Sequence, residues 1–253
     1  MGATKKERAD VLLFEAGLAE SRAQARALIM AGKVRMGPDR VVSKPSEKIP
    51  VDADLTVDAP REYVSRGAYK LLPALDRHLP DLSGMTALDV GASTGGFTDL
   101  MLQRGAERVY CVDSGRGQLH DKLRRDPRVV CLERTNARFI DETLVPEKVD
   151  ALTMDVSFIS ATLLLEPCSR LTRDGAWAFI LVKPQFEAGK GEVPRGGVVT
   201  DERVIRDAID KVAGFATGRL GWTFLEAIPS PIKGPKGNQE FIAVFRTAVP
   251  VIP

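Results

Sequence analysis

The stretch Asp89-Val90-Gly91-Ala92-Ser93-Thr94-Gly95-Gly96-Phe97-Thr98 decides how this chain folds. It closes an apolar run, Thr86 to Val90, that reads as a buried strand. Its glycines let the backbone turn sharply, approach a ligand and open the N-terminus of a following helix toward it. The next strand-like run, Arg108 to Val112, ends at Asp113. That is about 20 residues on, where an acidic side chain can hold ribose hydroxyls. Loop and acid together predict a cofactor that contains adenosine. A dinucleotide fingerprint needs glycine at position 93, where this chain has Ser93, and no Gly-Lys-Ser/Thr follows to make a P-loop.

Outward from this turn, helix and strand alternate. A helix is predicted over Ser65 to His78, and further strands over Val129 to Leu132, Ala151 to Met154 and Trp177 to Val182. That rhythm predicts an α/β fold with a doubly wound, mostly parallel sheet. Trp222 to Ala227 and Glu240 to Arg246 read as two more strands joined by a Gly/Pro/Lys loop. The sheet would then have seven strands and end in an antiparallel hairpin, which is unusual for a dinucleotide-binding domain.

The first 60 residues read as a separate small α/β domain, leaving 61–253 for the sheet. A helix over Arg8 to Ala16 stops at Gly17, and Ser21 with Gln24 forms a capping box for a second helix that ends at Gly32. Val34, Met36, Val41, Val42, Leu55 and Val57 predict short strands. Between Met1 and Lys44 the basic residues Lys5, Lys6, Arg8, Arg22, Arg26, Lys33, Arg35, Arg40 and Lys44 outnumber the acidic Glu7, Asp10, Glu15, Glu20 and Asp39. Arg22 and Arg26 lie one helical turn apart and share a face.

Composition narrows the function. Of 253 residues 44% are hydrophobic, enough for a real core, and 36 Lys plus Arg against 34 Asp plus Glu leave a net charge of +2. Any basic surface is therefore local. The longest apolar run, Trp177 to Val182, is too short to cross a bilayer, and the charged start MGATKKERAD does not read as a secretory signal. Cys111, Cys131 and Cys168 form no CxxC pair and read as reduced thiols of a cytoplasmic protein. With only His78 and His120, far apart in the chain, neither a metal cluster nor a histidine-centred triad is expected.

Two resemblances extend this reading. The pattern R-A-D-x-L-L-x-x-A-G-L-A-x-S-R-x-x-A-x-x-L-I-x-x-G-x-V resembles the alpha-L RNA-binding domain of a small-subunit ribosomal protein and of pseudouridine synthases. It implies that Arg8, Arg22, Arg26 and Lys33 face RNA phosphates, with steeply salt-dependent binding. DVGASTGGFTD, with SRGAYKL, MDVSFIS, VKPQFEAGKG and GNQEF, is similar to the TlyA family, which joins such a domain to an FtsJ-like methyltransferase domain. The ordinary FtsJ loop carries Ala-Pro where Ser93-Thr94 stands here. The resemblance implies S-adenosylmethionine held by Gly91, Ala92, Ser93, Thr94, Gly95, Gly96 and Phe97. It also implies Asp113 on the ribose, Asn136 near the adenine and Asp155 beside the cofactor. The Lys-Asp-Lys-Glu set of FtsJ-like enzymes maps onto Lys70, Asp155, Lys183 and Glu240. The implied reaction is methylation of a ribose 2′-hydroxyl, with ribosomal RNA or ribosomal subunits as partner.

Some readings stay open at this level. Lys183 either accepts the hydroxyl proton or, still charged, orients the oxygen. The segment from Pro184 to Thr200, with Gly189, Gly191, Gly196, Gly197, Lys190 and Arg195, is either a surface connection or a lid that orders on RNA. As a lid it would bring Lys190 and Arg195 to the RNA. Phe158 reads first as a core side chain and second as a platform for a flipped nucleotide. Three other functions compete: an RNA-binding protein that keeps a methyltransferase fold without turnover, a membrane-active haemolysin, and a nicotinamide oxidoreductase. The intact Lys-Asp-Lys-Glu set opposes the first. The lack of a membrane-active segment opposes the second, and Ser93 with the terminal hairpin opposes the third.

Overall fold

Residues 6–19, 21–37, 40–57, 62–189, 191–234 and 236–248 are described by a computed structural model. The chain divides into two units, Met1–Glu62 and Tyr63–Pro253. The boundary expected from sequence, between residues 60 and 61, lies outside the described residues.

The first unit runs β1 (Lys6–Arg8), α1 (Ala9–Glu15), α2 (Arg22–Met30), β2 (Val34–Met36), β3 (Arg40–Val41), β4 (Lys48–Pro50) and β5 (Leu55–Val57). Ser21 caps α2 as its sequence predicts, its Oγ accepting from the Gln24 amide at 3.2 Å. Strands β3, β2 and β5 form one antiparallel sheet in that order, and β1 pairs with β4 in another. The β1–β4 pair is not legible in the sequence, because Lys6-Glu7-Arg8 offers no apolar alternation. Arg8 is therefore extended rather than helical: it pairs with Lys48 and precedes the first turn of α1. Leu13, Ala25, Ile29, Val34, Val42 and Ile49 are buried together. Each large aliphatic side chain here contributes about 1.5–3 kcal/mol by leaving water.

The second unit continues with α3 (Ala68–His78), β6 (Thr86–Val90), α4 (Gly96–Gln103), β7 (Arg108–Val112), α5 (Asp121–Arg124) and β8 (Val129–Leu132). A 3-10 turn (Ala137–Phe139) leads to β9 (Val149–Met154), α6 (Thr162–Ser169), β10 (Thr172–Val182), α7 (Pro184–Glu187), α8 (Glu202–Leu220), β11 (Thr223–Pro229) and β12 (Phe241–Arg246). The sheet has seven strands in the order β11-β12-β10-β9-β6-β7-β8. The inner strands are buried on both faces, whereas the edge strands β8 and β11 are only partly covered. Leu88, Val90, Tyr110 and Val112 pack into the core that includes Leu164, Val212 and Ala216. Ala87, Val109 and Cys111 face the core of Leu71, Leu75, Leu100 and Met101. Two-sided burial gives continuous apolar runs rather than alternation, which is why these strands are readable in sequence.

Among the described strands of this sheet, β12 alone runs opposite to the other six, antiparallel to both β10 and β11. Its first residue, Phe241, pairs with Val182 at the end of β10. The reversal brings Glu240 to the edge where the parallel strands end, beside Lys183. The chain also reverses its winding at β6, which has β7 on one side and β9 on the other. Ligand crevices of open α/β sheets form at such a switch point, past the strand C-termini.

Where α8 stands, the sequence reading assigns no element. Its signals are present: Asp201 caps it by accepting from the Arg203 amide at 2.8 Å, and Val204, Ala208, Val212 and Ala216 recur at helical spacing on its buried side. The three cysteines are free thiols. Burial pushes the Cys168 thiol up to about 12, so it stays protonated and inert at neutral pH.

Candidate active site

The turn after β6 is shaped first by protein packing. A Cβ on Gly91, whose φ is +81°, would lie 2.4 Å from the Asp155 carbonyl oxygen. One on Gly96 would lie 2.4 Å from Ser65 Oγ and 2.8 Å from the Ala68 amide. One on Gly95 would lie 2.2 Å from a Leu123 methyl and 2.8 Å from a Leu119 methyl, and Gly95 does not border the cleft. The glycine density that sequence reads as room for a ligand is therefore largely room for α3, α5 and the end of β9. Ser93 takes φ +48°, in the left-handed region.

Around this turn lies a cleft with two lobes that share Gly91, Ser93, Asp155 and Ser157. One lobe, of 480 Å³, is bordered by Gly91 to Thr94, Gly96, Phe97, Asp89, Lys70, Lys183 and Lys233. The other, of 390 Å³, is bordered by Asp113, Asn136, Val112, Val156, Ile159 and Leu164. Asp113 Oδ2 accepts from the Ser93 amide at 2.8 Å and Oδ1 from the Gly115 amide at 2.7 Å. Each oxygen keeps a lone pair for a further donor. Asn136 borders the same lobe while its Oδ1 caps the 3-10 turn, accepting from Arg138 N at 3.1 Å.

Asp89 lies beneath the first lobe, fully buried. Its Oδ2 accepts from the Thr98 amide at 3.1 Å and Thr98 Oγ1 at 2.7 Å, and its Oδ1 from Thr153 Oγ1 at 2.9 Å. Burial pushes this carboxyl up to about 6, against the pull of those hydrogen bonds and with a contribution from the nearby Asp155 charge.

The four residues of the Lys-Asp-Lys-Glu set meet at this edge. Lys70 comes from α3, Asp155 follows β9, Lys183 follows β10 and Glu240 precedes β12. Lys183 Nζ is 2.6 Å from Asp155 Oδ1 and donates to Ser157 Oγ at 2.8 Å. Lys70 Nζ bridges, 2.8 Å from Glu240 Oε2 and 3.5 Å from Asp155 Oδ2. Glu240 is 1% exposed, and neither of its oxygens has an aligned hydrogen-bond donor among the described residues. Two cations and two carboxylates balance formally. Pro184, first in α7, holds Lys183 extended just ahead of the helix.

Phe158 is the clearest correction to the sequence reading. It is 90% exposed, not a core side chain, because the loop after β9 turns through φ +65° at this residue. Its ring leans on Phe186, with centroids 5.1 Å apart. The segment after Lys183 is tied at both ends. Glu187, buried, accepts from the Ala161 amide at 2.7 Å and pairs with Lys211 at 3.1 Å. Asn238 accepts from the Val199 amide and donates to the Gly197 carbonyl, both at 2.8 Å. Arg195 is exposed between these anchors, and Lys190 lies outside the described residues. Sequence reasoning misses Ser157, Glu187 and Asn238, although each stands within or beside a motif quoted for its family.

In the first unit Lys33 is exposed, whereas Arg8, Arg22 and Arg26 all reach one carboxylate, Asp10. Among the described residues no helix is long and apolar enough to cross a membrane, and no cluster of three His, Cys, Asp or Glu side chains is placed to hold a metal ion.

Residues 63–247 match the FtsJ-like methyltransferase family and residues 7–54 the S4 domain. A 16S/23S rRNA (cytidine-2′-O)-methyltransferase TlyA of Mycobacterium tuberculosis is 44% identical over 245 residues, covering 96% of this chain and 91% of that one. The chain belongs to the TlyA family. Another relative, named Hemolysin A, from Brachyspira hyodysenteriae, is 37% identical over a match that covers 94% of this chain and 99% of that one. A solved structure from Streptococcus thermophilus described as a hemolysin superposes with a TM-score of 0.73 at 39% identity, over 97% of this chain and 90% of that one. An S4 domain followed by an FtsJ-like methyltransferase domain is thus present in that order.

Proposed function

We propose that this chain transfers a methyl group from S-adenosylmethionine to a ribose 2′-hydroxyl of ribosomal RNA in the cytoplasm. The observation that carries the reading is the meeting of Lys70, Asp155, Lys183 and Glu240 at the strand edge that borders the cleft. The substrate class rests on the named activity of the M. tuberculosis relative.

The cleft fits such a cofactor. Asp113 has acceptor capacity that suits ribose hydroxyls, the lobe that Asn136 borders with apolar Val112, Ile159 and Leu164 suits an adenine, and the Asp155 carboxylate suits a sulfonium. When bound, the cofactor supplies an electrophilic methyl group. The protein's part is to place the hydroxyl oxygen and manage its proton. Lys183 Nζ engages Asp155 and Ser157, which leaves one tetrahedral position on the nitrogen for substrate. In the ammonium that position is an N–H that orients the oxygen; in the amine it is a lone pair that takes the proton. Asp155 and Ser157 fix the nitrogen in either case, and Lys70 and Glu240 fix Asp155.

Phe158 gives the target base a surface. Exposed, leaning on Phe186 and three residues past Asp155, it is suited to stack on a nucleotide turned out of its helix. The first unit supplies affinity for structured RNA through Arg8, Arg22, Arg26 and Lys33, with Arg195 and Lys190 adding contacts from the second.

The test is transfer of labelled methyl from S-adenosylmethionine to purified small and large ribosomal subunits and their free RNAs. Label in RNA supports the reading. Cofactor binding without label in any of the four substrates contradicts it.

A further inference from the structure

Asp10 stands in the sequence among ordinary surface charges, yet in the structure its side chain is 0% exposed. Arg8 grips it with two bonds, Nε to Oδ1 at 2.9 Å and Nη2 to Oδ2 at 3.0 Å. Arg26 Nε donates to Oδ2 at 2.9 Å, and Arg22 Nη2 lies 3.5 Å from the same oxygen. The carboxylate thus joins the end of β1, helix α1 and helix α2. The three arginine side chains are themselves 37%, 49% and 54% exposed.

One negative charge among three positive ones leaves a formal surplus of two. Each guanidinium has five N–H donors, and only one or two per arginine are committed to Asp10. The rest are not committed to Asp10. A free arginine loses rotamer freedom when it closes on a phosphate, whereas one already held by a buried partner loses less. The Asp10 carboxyl, held far below the usual carboxylate range chiefly by the Arg8 hydrogen bonds, stays ionised at any physiological pH.

We propose that Asp10 is a positioning residue that sets Arg8, Arg22 and Arg26 as one preorganised fork for an RNA backbone phosphate. The proposal rests on the reading of the first unit as an RNA-binding surface. It differs from a purely electrostatic account in the sign of one result. Asp10→Asn removes a negative charge, so charge alone strengthens binding to a polyanion. Positioning weakens it, because the amide nitrogen turns donors toward guanidinium donors and releases the arginines.

The experiment is filter binding of full-length protein to purified large-subunit ribosomal RNA across a potassium chloride series. For Asp10→Asn the expected result is affinity lower by about fivefold or more, with the salt dependence shallower by about one phosphate contact. Unchanged or tighter binding by this variant, with its far-ultraviolet circular dichroism and melting intact, overturns the proposal. Should Asp10→Asn unfold the first unit, the double variant Arg8→Lys, Arg26→Lys carries the test. It keeps every charge but loses the planar fork; a comparable weakening supports the proposal and unchanged affinity overturns it. Arg22→Glu with Arg26→Glu separates the two layers. If this reversal leaves RNA affinity unchanged, the RNA-binding surface itself is misassigned and the proposal falls with it. If it abolishes binding while folded Asp10→Asn binds normally, only the positioning role fails.

Discussion

Lys183 Nζ lies 2.6 Å from Asp155 Oδ1, an ion pair that ties the ends of the neighbouring parallel strands β10 and β9. It fixes the nitrogen beside the cleft, where the proposed reaction brings a hydroxyl to the methyl donor. Replacing Lys183 by Ala is expected to lower kcat by about 10²–10⁴-fold, the range for a group that handles a proton or orients the attacking atom. Calorimetry should find cofactor affinity changed by less than about threefold, since the proposed reading seats the cofactor mainly on the Gly91 turn and Asp113. Lys183→Arg separates the two roles, because a guanidinium orients an oxygen but does not deprotonate it. Activity restored in that variant assigns an orienting cation. If it is not restored, a rate that rises with pH in the wild type assigns a base.

Asp113 is expected to act on binding and not on chemistry. It holds the Ser93 and Gly115 amides and borders the second lobe. Charge-assisted hydrogen bonds of this kind are worth about 1.5–3 kcal/mol. Asp113→Ala should weaken cofactor binding by about 10- to 100-fold in calorimetry, with kcat at saturating cofactor reduced far less.

Phe158 makes a prediction opposite to that for a core aromatic. Being 90% exposed, it can be replaced by Ala with a melting temperature within about 2 °C of wild type. Base stacking is worth about 1–3 kcal/mol, so kcat/KM for RNA should fall about 5- to 100-fold, while Phe158→Trp retains activity. A large loss of stability would return Phe158 to a packing role.

Asp89 should give the second unit an unusual acid profile. Its carboxyl titrates at about 6 in the fold and near 3.9 unfolded, so the folded state holds the extra proton between these values. Stability therefore falls as pH rises from about 4 to 6, by up to about 3 kcal/mol, and is level above that. Glu133 acts the other way: held down at about 2, chiefly by Arg124, it loses its contribution only as pH falls below about 4.5. Both tryptophans, Trp177 and Trp222, lie in the second unit, so urea unfolding followed by tryptophan fluorescence reads it alone. Asp89→Asn should flatten the limb between pH 4 and 6.

Local patterns carry much of this structure. Strands β6, β7 and β8 begin and end at the residues that their apolar runs predict; for β6 and β7 burial on both faces leaves a continuous signal that Gly, Pro and charge interrupt, and the half-buried edge strand β8 keeps an apolar run as well. Glu240 illustrates what local patterns miss. That a last strand follows it is readable, but not that this strand inserts between β10 and β11 and so delivers the carboxylate to Lys70. Phe158 and Asp10 are inverted cases, an aromatic outside and a carboxylate inside. Each is set by partners distant in sequence or by a single left-handed backbone angle, neither of which side-chain type encodes. The glycines of the β6 turn read as space for a ligand; the atoms that fill the space at Gly91 and Gly96 come from the ends of other elements.

The most direct test of the account is nucleotide-level mapping of ribose methylation. Ribosomal subunits lacking the modification would be treated with wild-type protein or Lys183→Ala and S-adenosylmethionine, and the RNA hydrolysed in alkali, which spares the bond beside a 2′-O-methyl group. A newly protected position made by the wild type and absent with Lys183→Ala is the predicted result. Methyl groups found on bases instead, or protection undiminished in Lys183→Ala, would contradict it.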